Sequence, residues 1–131
     1  MGDITKNLSR SEIVCPCGCG FDRLNPAVAR GFQYIRDRLG QAVHVNSGCR
    51  CAKYNATLKG SSPTSQHIVG NALDIRPDDP KALIDLLRLA HEVPVFAAGG
   101  IGVYNGRIHV DAKGVWRRWN KCSRGKGPKY V

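Results

Sequence analysis

The chain has no run approaching the roughly 18 consecutive apolar residues that a membrane-spanning helix requires, so stable insertion into a bilayer is not expected. Its opening stretch, MGDITKNLSRSE, also lacks the apolar segment of a secretory signal, and cytoplasmic synthesis is expected. Aromatic residues are scarce, at 7% of the 131 positions. Without aromatics interleaved among the basic residues there is little to stack on unpaired bases, so nucleic acid is not an expected partner. Acidic residues are also few: Lys and Arg outnumber Asp and Glu by 20 to 10, a formal charge of +10. That excess attracts polyanions as a class, and anionic cell-wall polymer fits it as well as lipid does.

The chain shows no internal repeat and no interior linker, and its length supports one modest core. A single domain spanning residues 1–131, monomeric, is therefore expected, with its packed part at 11–119 and a mobile basic tail at 120–131. Asn25 and Pro26 form a cap and first-turn pair. Val28, Phe32, Ile35 and Leu39 follow on one helical face, and Gly40 stops the helix. Ala42–Asn46 and Ala72–Ile75 read as short strands. Asp79 and Pro80 repeat the helix-start signature for a second helix carrying Leu83, Leu86, Leu87 and Ala90 and ending near Pro94. Gly100–Tyr104 and Arg107–Asp111 flank Asn105-Gly106, the dipeptide most typical of a two-residue hairpin turn. Helices packed on a short antiparallel sheet give the class α+β.

Cys15, Cys17, Cys19, Cys49, Cys51 and Cys122 admit a structural zinc site, disulfides or buried thiols. The C-x-C spacings differ from the C-x-x-C of zinc ribbons. If Cys49 and Cys51 lie on one face of a strand, a direct bond between them would be strained.

A catalytic zinc site needs three ligands from His, Asp, Glu or Cys and an open fourth position. His67 and Asp74 are seven residues apart with Gly70 between them, so a loop can return both side chains to one point. A two-residue turn at Asn105-Gly106 sets Tyr104 opposite Arg107 and Gly102 opposite His109, which leaves room beside the imidazole. Asp111, two residues on, shares the face of His109 and is a candidate general base. His44 and His91 read as ordinary structural histidines.

The stretch Ser65-Gln66-His67-Ile68-Val69-Gly70-Asn71-Ala72-Leu73-Asp74 resembles the S-x-H-x-x-G-x-A-x-D signature of the M15 peptidases, the zinc D-alanyl-D-alanine carboxypeptidase and phage endolysin group. Ser47-Gly48-Cys49-Arg50 with Tyr54-Asn55 resembles that family's S-G-x-R segment. Gly100–Tyr104 followed by Ile108–Asp111 resembles its terminal hairpin, so the likeness runs from about Ser11 to Trp119. The resemblance implies a hedgehog- and DD-peptidase-like fold with Zn2+ on His67, Asp74 and His109. It also implies substrate contacts from Arg50, Ser65 and Tyr104, with Arg50 assisting catalysis. Some relatives carry the catalytic carboxylate three residues before the last histidine, where this chain has Gly106; Asp111 is then the expected base, in the pattern of relatives that end in H-x-D, with a metal ligand or a partner that orients His109 as its alternative roles.

The activity so implied is hydrolysis of amide bonds involving D-amino acids in peptidoglycan stem peptides, as a carboxypeptidase or an endopeptidase. The competing reading is an inactive zinc-containing domain that binds cell wall. A wall-directed enzyme without an export signal is expected to come from a phage or prophage, released by a holin-type partner or carried in the virion.

Overall fold

The structure, a computed structural model, describes residues 2–122. Its frame is a five-stranded sheet made of β1 (Val43–Ser47), β2 (Ala72–Pro77), β3 (Gly100–Tyr104), β4 (Arg107–Asp111) and β5 (Arg117–Asn120), in the order β1-β2-β4-β3-β5. The first three pairings are antiparallel and β3 pairs with β5 in parallel. The class is α+β as read from the sequence, but the sheet is mixed: past a bend with Gly114 at φ 81°, Arg117–Asn120 forms an edge strand that the sequence reading did not expect.

Alternation along the strands gives the sheet two unlike faces. The helices are α1 (Arg10–Ile13), α2 (Pro26–Leu39), α3 (Ala52–Asn55), α4 (Leu83–Glu92) and α5 (Pro94–Ala97). Leu73, Ile75, Ile101, Val103, Ile108 and Val110 are fully buried and share one core with Val28, Phe32 and Ile35 of α2. Leu86, Leu87 and Ala90 of α4 (Leu83–Glu92) and Phe96 of the short helix Pro94–Ala97 complete it. Each such side chain contributes about 1.5–3 kcal/mol through burial. The alternate residues, Asp74, Gly102 and His109, fall on the other face.

Helix α2 begins and ends as its sequence dictates. The Asn25 side chain accepts from the Ala27 N–H, Pro26 occupies the first turn, and Gly40 closes the helix at φ 75°. The second helical stretch differs from expectation. It opens as a 3-10 turn at Pro80–Ala82 before the α-helix Leu83–Glu92; the helix ends near Pro94 as expected, but Pro94 also starts a new short helix. The packed region is also wider than residues 11–119. Leu8 is fully buried, Asn120 belongs to β5, and most of the basic tail, residues 123–131, lies outside the described residues. Among the described residues no helix is long and apolar enough to cross a membrane.

The loop that carries His67 is held from two sides. Ser65 caps the 3-10 turn Gln66–Val69, and Gly70 closes it at φ 73°. The Gly70 carbonyl accepts from the Asn25 N–H at 2.8 Å, joining the turn to the cap of α2. A Cβ on Gly70 would collide with the Arg23 carbonyl, whereas one on Gly106, at φ 77° in the hairpin turn, would meet open space. Gly106→Ala is therefore expected to cost about 1–2 kcal/mol from its left-handed backbone alone. Gly70→Ala should cost clearly more, because the neighbouring backbone must move. Urea unfolding of the two variants measures the difference, and equal losses would contradict the packing described.

Candidate metal centre

One rung of the sheet crosses all five strands as Ser47, Asp74, His109, Gly102 and Trp119. Side chains opposite one another in such a rung are neighbours. Asp74 and His109 are thus set side by side by backbone pairing, and His67 reaches them from the 3-10 turn. Asp74 Oδ1 lies 3.2 Å from His67 Nε2 and 3.0 Å from His109 Nδ1, and all three residues are buried.

The outer nitrogens decide what these contacts mean. His67 Nδ1 is 2.7 Å from the Gly48 carbonyl, which can only accept, so Nδ1 carries the proton and Nε2 presents a lone pair. His109 Nε2 is 2.7 Å from Asp111 Oδ2 and donates to it, which leaves the His109 Nδ1 lone pair facing inward. Where a proton occupies the gap, it bridges Asp74 to an imidazole: burial alone would raise the Asp74 carboxyl, but hydrogen bonds with His109 and His67 outweigh it and hold Asp74 well below the usual carboxylate range. Burial likewise disfavours charge on His109, yet its hydrogen bonds to Asp111 and Asp74 raise its pKa above the ordinary 6.5.

Two imidazole lone pairs and a carboxylate oxygen therefore converge, and they repel unless a cation sits among them. A tetrahedral zinc ion bonded at about 2.0–2.2 Å spaces its nitrogen and oxygen ligands about 3.3–3.5 Å apart, close to the separations here. The residues fit a divalent metal; protons are the alternative occupants.

Asp111 does not stand where a general base is needed. It is fully buried. Besides His109 it accepts from the Gly100 N–H at 2.9 Å, the Lys113 N–H at 3.1 Å and Arg117 Nη2 at 3.0 Å. Burial pushes its carboxyl up, but the His109 and Gly100 hydrogen bonds prevail and bring it down to about 2. It is an ionised carboxylate whose bonds face the chain, and it orients His109 from behind in the manner of a carboxylate-histidine-metal relay. A Cβ on Gly100 would collide with it.

Arg50 is buried beside Asp74. Its Nε donates to Ser47 Oγ at 2.8 Å, Nη1 to Asn55 Oδ1 at 3.0 Å, and Nη2 lies 3.4 Å from Asp74 Oδ2. The guanidinium thus takes the carboxylate oxygen that the imidazoles leave. Arg50, Ser65 and Tyr104 all line a cleft of about 660 Å³ that also exposes His67, Asp74 and His109. The Ser65 hydroxyl is partly spent on its cap, accepting from the His67 N–H at 3.3 Å, and the Tyr104 hydroxyl accepts from Trp119 Nε1 at 2.8 Å. His44, paired with Asp78, and His91, bonded to the Leu87 carbonyl, stand outside the cleft.

Several partners escaped sequence reasoning. The indole of Trp119 lies 5.1 Å from the His109 ring, and a Cβ on Gly102 would collide with it. The room that Gly102 leaves is thus filled by Trp119. Gly48 acts through its carbonyl on His67, Asn55 through its amide on Arg50, and Arg117 through its guanidinium on Asp111. Gly48 and buried Asn55 had a local signal, their place in and just after the S-G-x-R segment.

Asp111→Asn keeps the shape but weakens the brace on His109, so zinc affinity is expected to fall about 10- to 100-fold while the fold survives. Protons and metal compete for the same lone pairs, and the raised pKa of His109 extends that competition above pH 6.5. Zinc affinity of the unaltered protein should therefore fall steadily as pH drops through this range. Calorimetric zinc titrations at several pH values check both effects, and flat affinity across pH would contradict the ligand set.

The sequence model of the family described as Peptidase M15 matches residues 6–111. No curated protein matches the chain. The match spans His67, Asp74 and His109, whose ligand atoms all lie within 4.8 Å of one another. The chain belongs to the peptidase M15 family.

Proposed function

We propose that the protein is a zinc peptidase that hydrolyses amide bonds involving D-amino acids in peptidoglycan stem peptides. The observation that carries this reading is the convergence of the His67 and His109 lone pairs on ionised Asp74 at the base of an open cleft. When bound, zinc supplies Lewis-acid chemistry, lowering the pKa of water and polarising a carbonyl.

The chain's own residues do the rest. Asp111 and the Gly48 carbonyl keep both imidazoles in the tautomers that offer their lone pairs inward. Arg50 spends three of its five N–H donors on Ser47, Asn55 and Asp74 and keeps two for a peptide carbonyl or carboxylate in the cleft. Tyr104 accepts from Trp119, so its own hydroxyl proton is free to donate to the substrate oxygen on which charge develops. Lys59, Arg107, Lys113 and Lys121 also line the cleft, and this positive rim suits a stem peptide, which carries several carboxylates.

A second reading, an inert zinc-holding domain that binds cell wall, draws on one observation: the described residues of the cleft include no acid other than Asp74. Digestion of purified peptidoglycan, with mass analysis of the fragments, separates the two. The enzyme reading expects new amino termini at bonds flanked by D-residues, abolished by a chelator and restored by zinc. It also expects Arg50→Lys to lower kcat/KM about 10- to 100-fold through loss of a charged hydrogen bond. Intact peptidoglycan together with zinc-dependent sedimentation of the protein on cell walls would establish the binding domain instead.

A further inference from the structure

The M15 site absorbs none of the six cysteines, and the structure separates them into distinct groups. Cys49 is fully buried among apolar side chains and Cys122 packs against the same core. The other four gather elsewhere. Cys15, Cys17 and Cys19 come from the Gly- and Pro-containing loop before α2, and Cys51 comes from the segment just after Arg50; their Sγ atoms all lie within 4.8 Å of one another.

Burial does not explain this gathering, because Cys17 and Cys19 are exposed. The spacing does suggest a cause. Cys17 Sγ lies 3.5 Å from Cys15 Sγ and 3.6 Å from Cys51 Sγ. Four thiolates bonded at about 2.3 Å to a tetrahedral zinc ion have their sulfurs about 3.8 Å apart. A disulfide brings two sulfurs to about 2.05 Å, and Cys17, close to two partners, could join only one.

The surrounding backbone is arranged for thiolates. The Cys51 N–H donates to Cys15 Sγ at 3.4 Å and the Tyr54 N–H to Cys51 Sγ at 3.3 Å. The C-x-C-x-C run departs from the zinc-ribbon pattern, and its turn is made by Gly18 at φ 87°, with the loop closed by the Cys15 N–H on the Phe21 carbonyl at 2.9 Å.

We propose that Cys15, Cys17, Cys19 and Cys51 form a second, structural metal site that takes one zinc-type divalent ion in an all-sulfur tetrahedron. Such a site ties the amino-terminal segment to the chain just after Gly48 and Arg50. The first of these orients His67 and the second holds Asp74, so the sulfur site braces the loop on which the hydrolytic centre rests.

The test uses the full chain prepared under reducing conditions, with metal content measured by elemental analysis and cobalt substituted for zinc. The unaltered protein should hold two ions per chain and Cys17→Ser/Cys19→Ser one. His67→Ala/His109→Ala should also hold one, and its cobalt form should keep the intense near-ultraviolet sulfur-to-cobalt absorption that nitrogen and oxygen ligands do not produce. This last spectrum decides the matter even if the cysteine variant does not fold. A cobalt-loaded histidine variant without that absorption, or thiol counting that finds these cysteines joined as disulfides in native protein, would overturn the proposal.

Discussion

A carboxylate oxygen held about 3 Å from two imidazole nitrogens in a buried place needs a positive charge beside it, and the rest of this structure follows from that requirement. Taking a carboxylate and two imidazoles out of water is expensive unless they are paired. The pairing here is built from outside. The Gly48 carbonyl fixes one imidazole, Asp111 fixes the other, and Arg50 takes the free oxygen of Asp74, so each group has one place left to direct its remaining lone pair. In the absence of metal a proton fills the gap, which is why the pKa of His109 is raised and that of Asp74 lowered.

The sheet makes that arrangement reproducible. Its apolar face is locked against three helices, which prevents the register from slipping by a residue and carrying every polar side chain to the wrong side. With the register fixed, a single rung delivers Ser47, Asp74, His109, Gly102 and Trp119 in order. Each serves the centre: Ser47 steadies Arg50, Asp74 and His109 offer atoms that could hold a metal, Gly102 vacates space, and Trp119 fills it against the imidazole. The fold and the site are therefore one construction, because the same pairing that buries Ile108 and Val110 on one side aims His109 on the other.

Much of this was legible in the chain because it is local. Asn25-Pro26 and Gly40 bracket α2, and Asn105-Gly106 sets the hairpin so closely that the pairing of Gly102 with His109 follows from counting. The convergence of His67 with Asp74 was also readable, since a glycine-closed turn leads straight into a strand. What stayed hidden depends on contacts between distant segments. β5 follows a glycine bend but shows no alternating pattern of its own, and owes its place to parallel pairing with β3. Residue order puts Asp111 on the face of His109, and that much holds. Only the tertiary structure reveals that Gly100, Lys113 and Arg117 surround its carboxylate and turn a candidate base into a brace. A structural zinc site was among the readings the six cysteines admitted, but spacing could not say which of them gather, because Cys51 meets Cys15, Cys17 and Cys19 only across the fold.

The most direct measurement of the central claim is anomalous X-ray diffraction at the zinc edge from crystals of zinc-loaded protein. The account predicts a peak at the base of the cleft, about 2.0–2.2 Å from His67 Nε2, an Asp74 carboxylate oxygen and His109 Nδ1. No peak there, or an ion bonded instead through His67 Nδ1 or His109 Nε2, would contradict it.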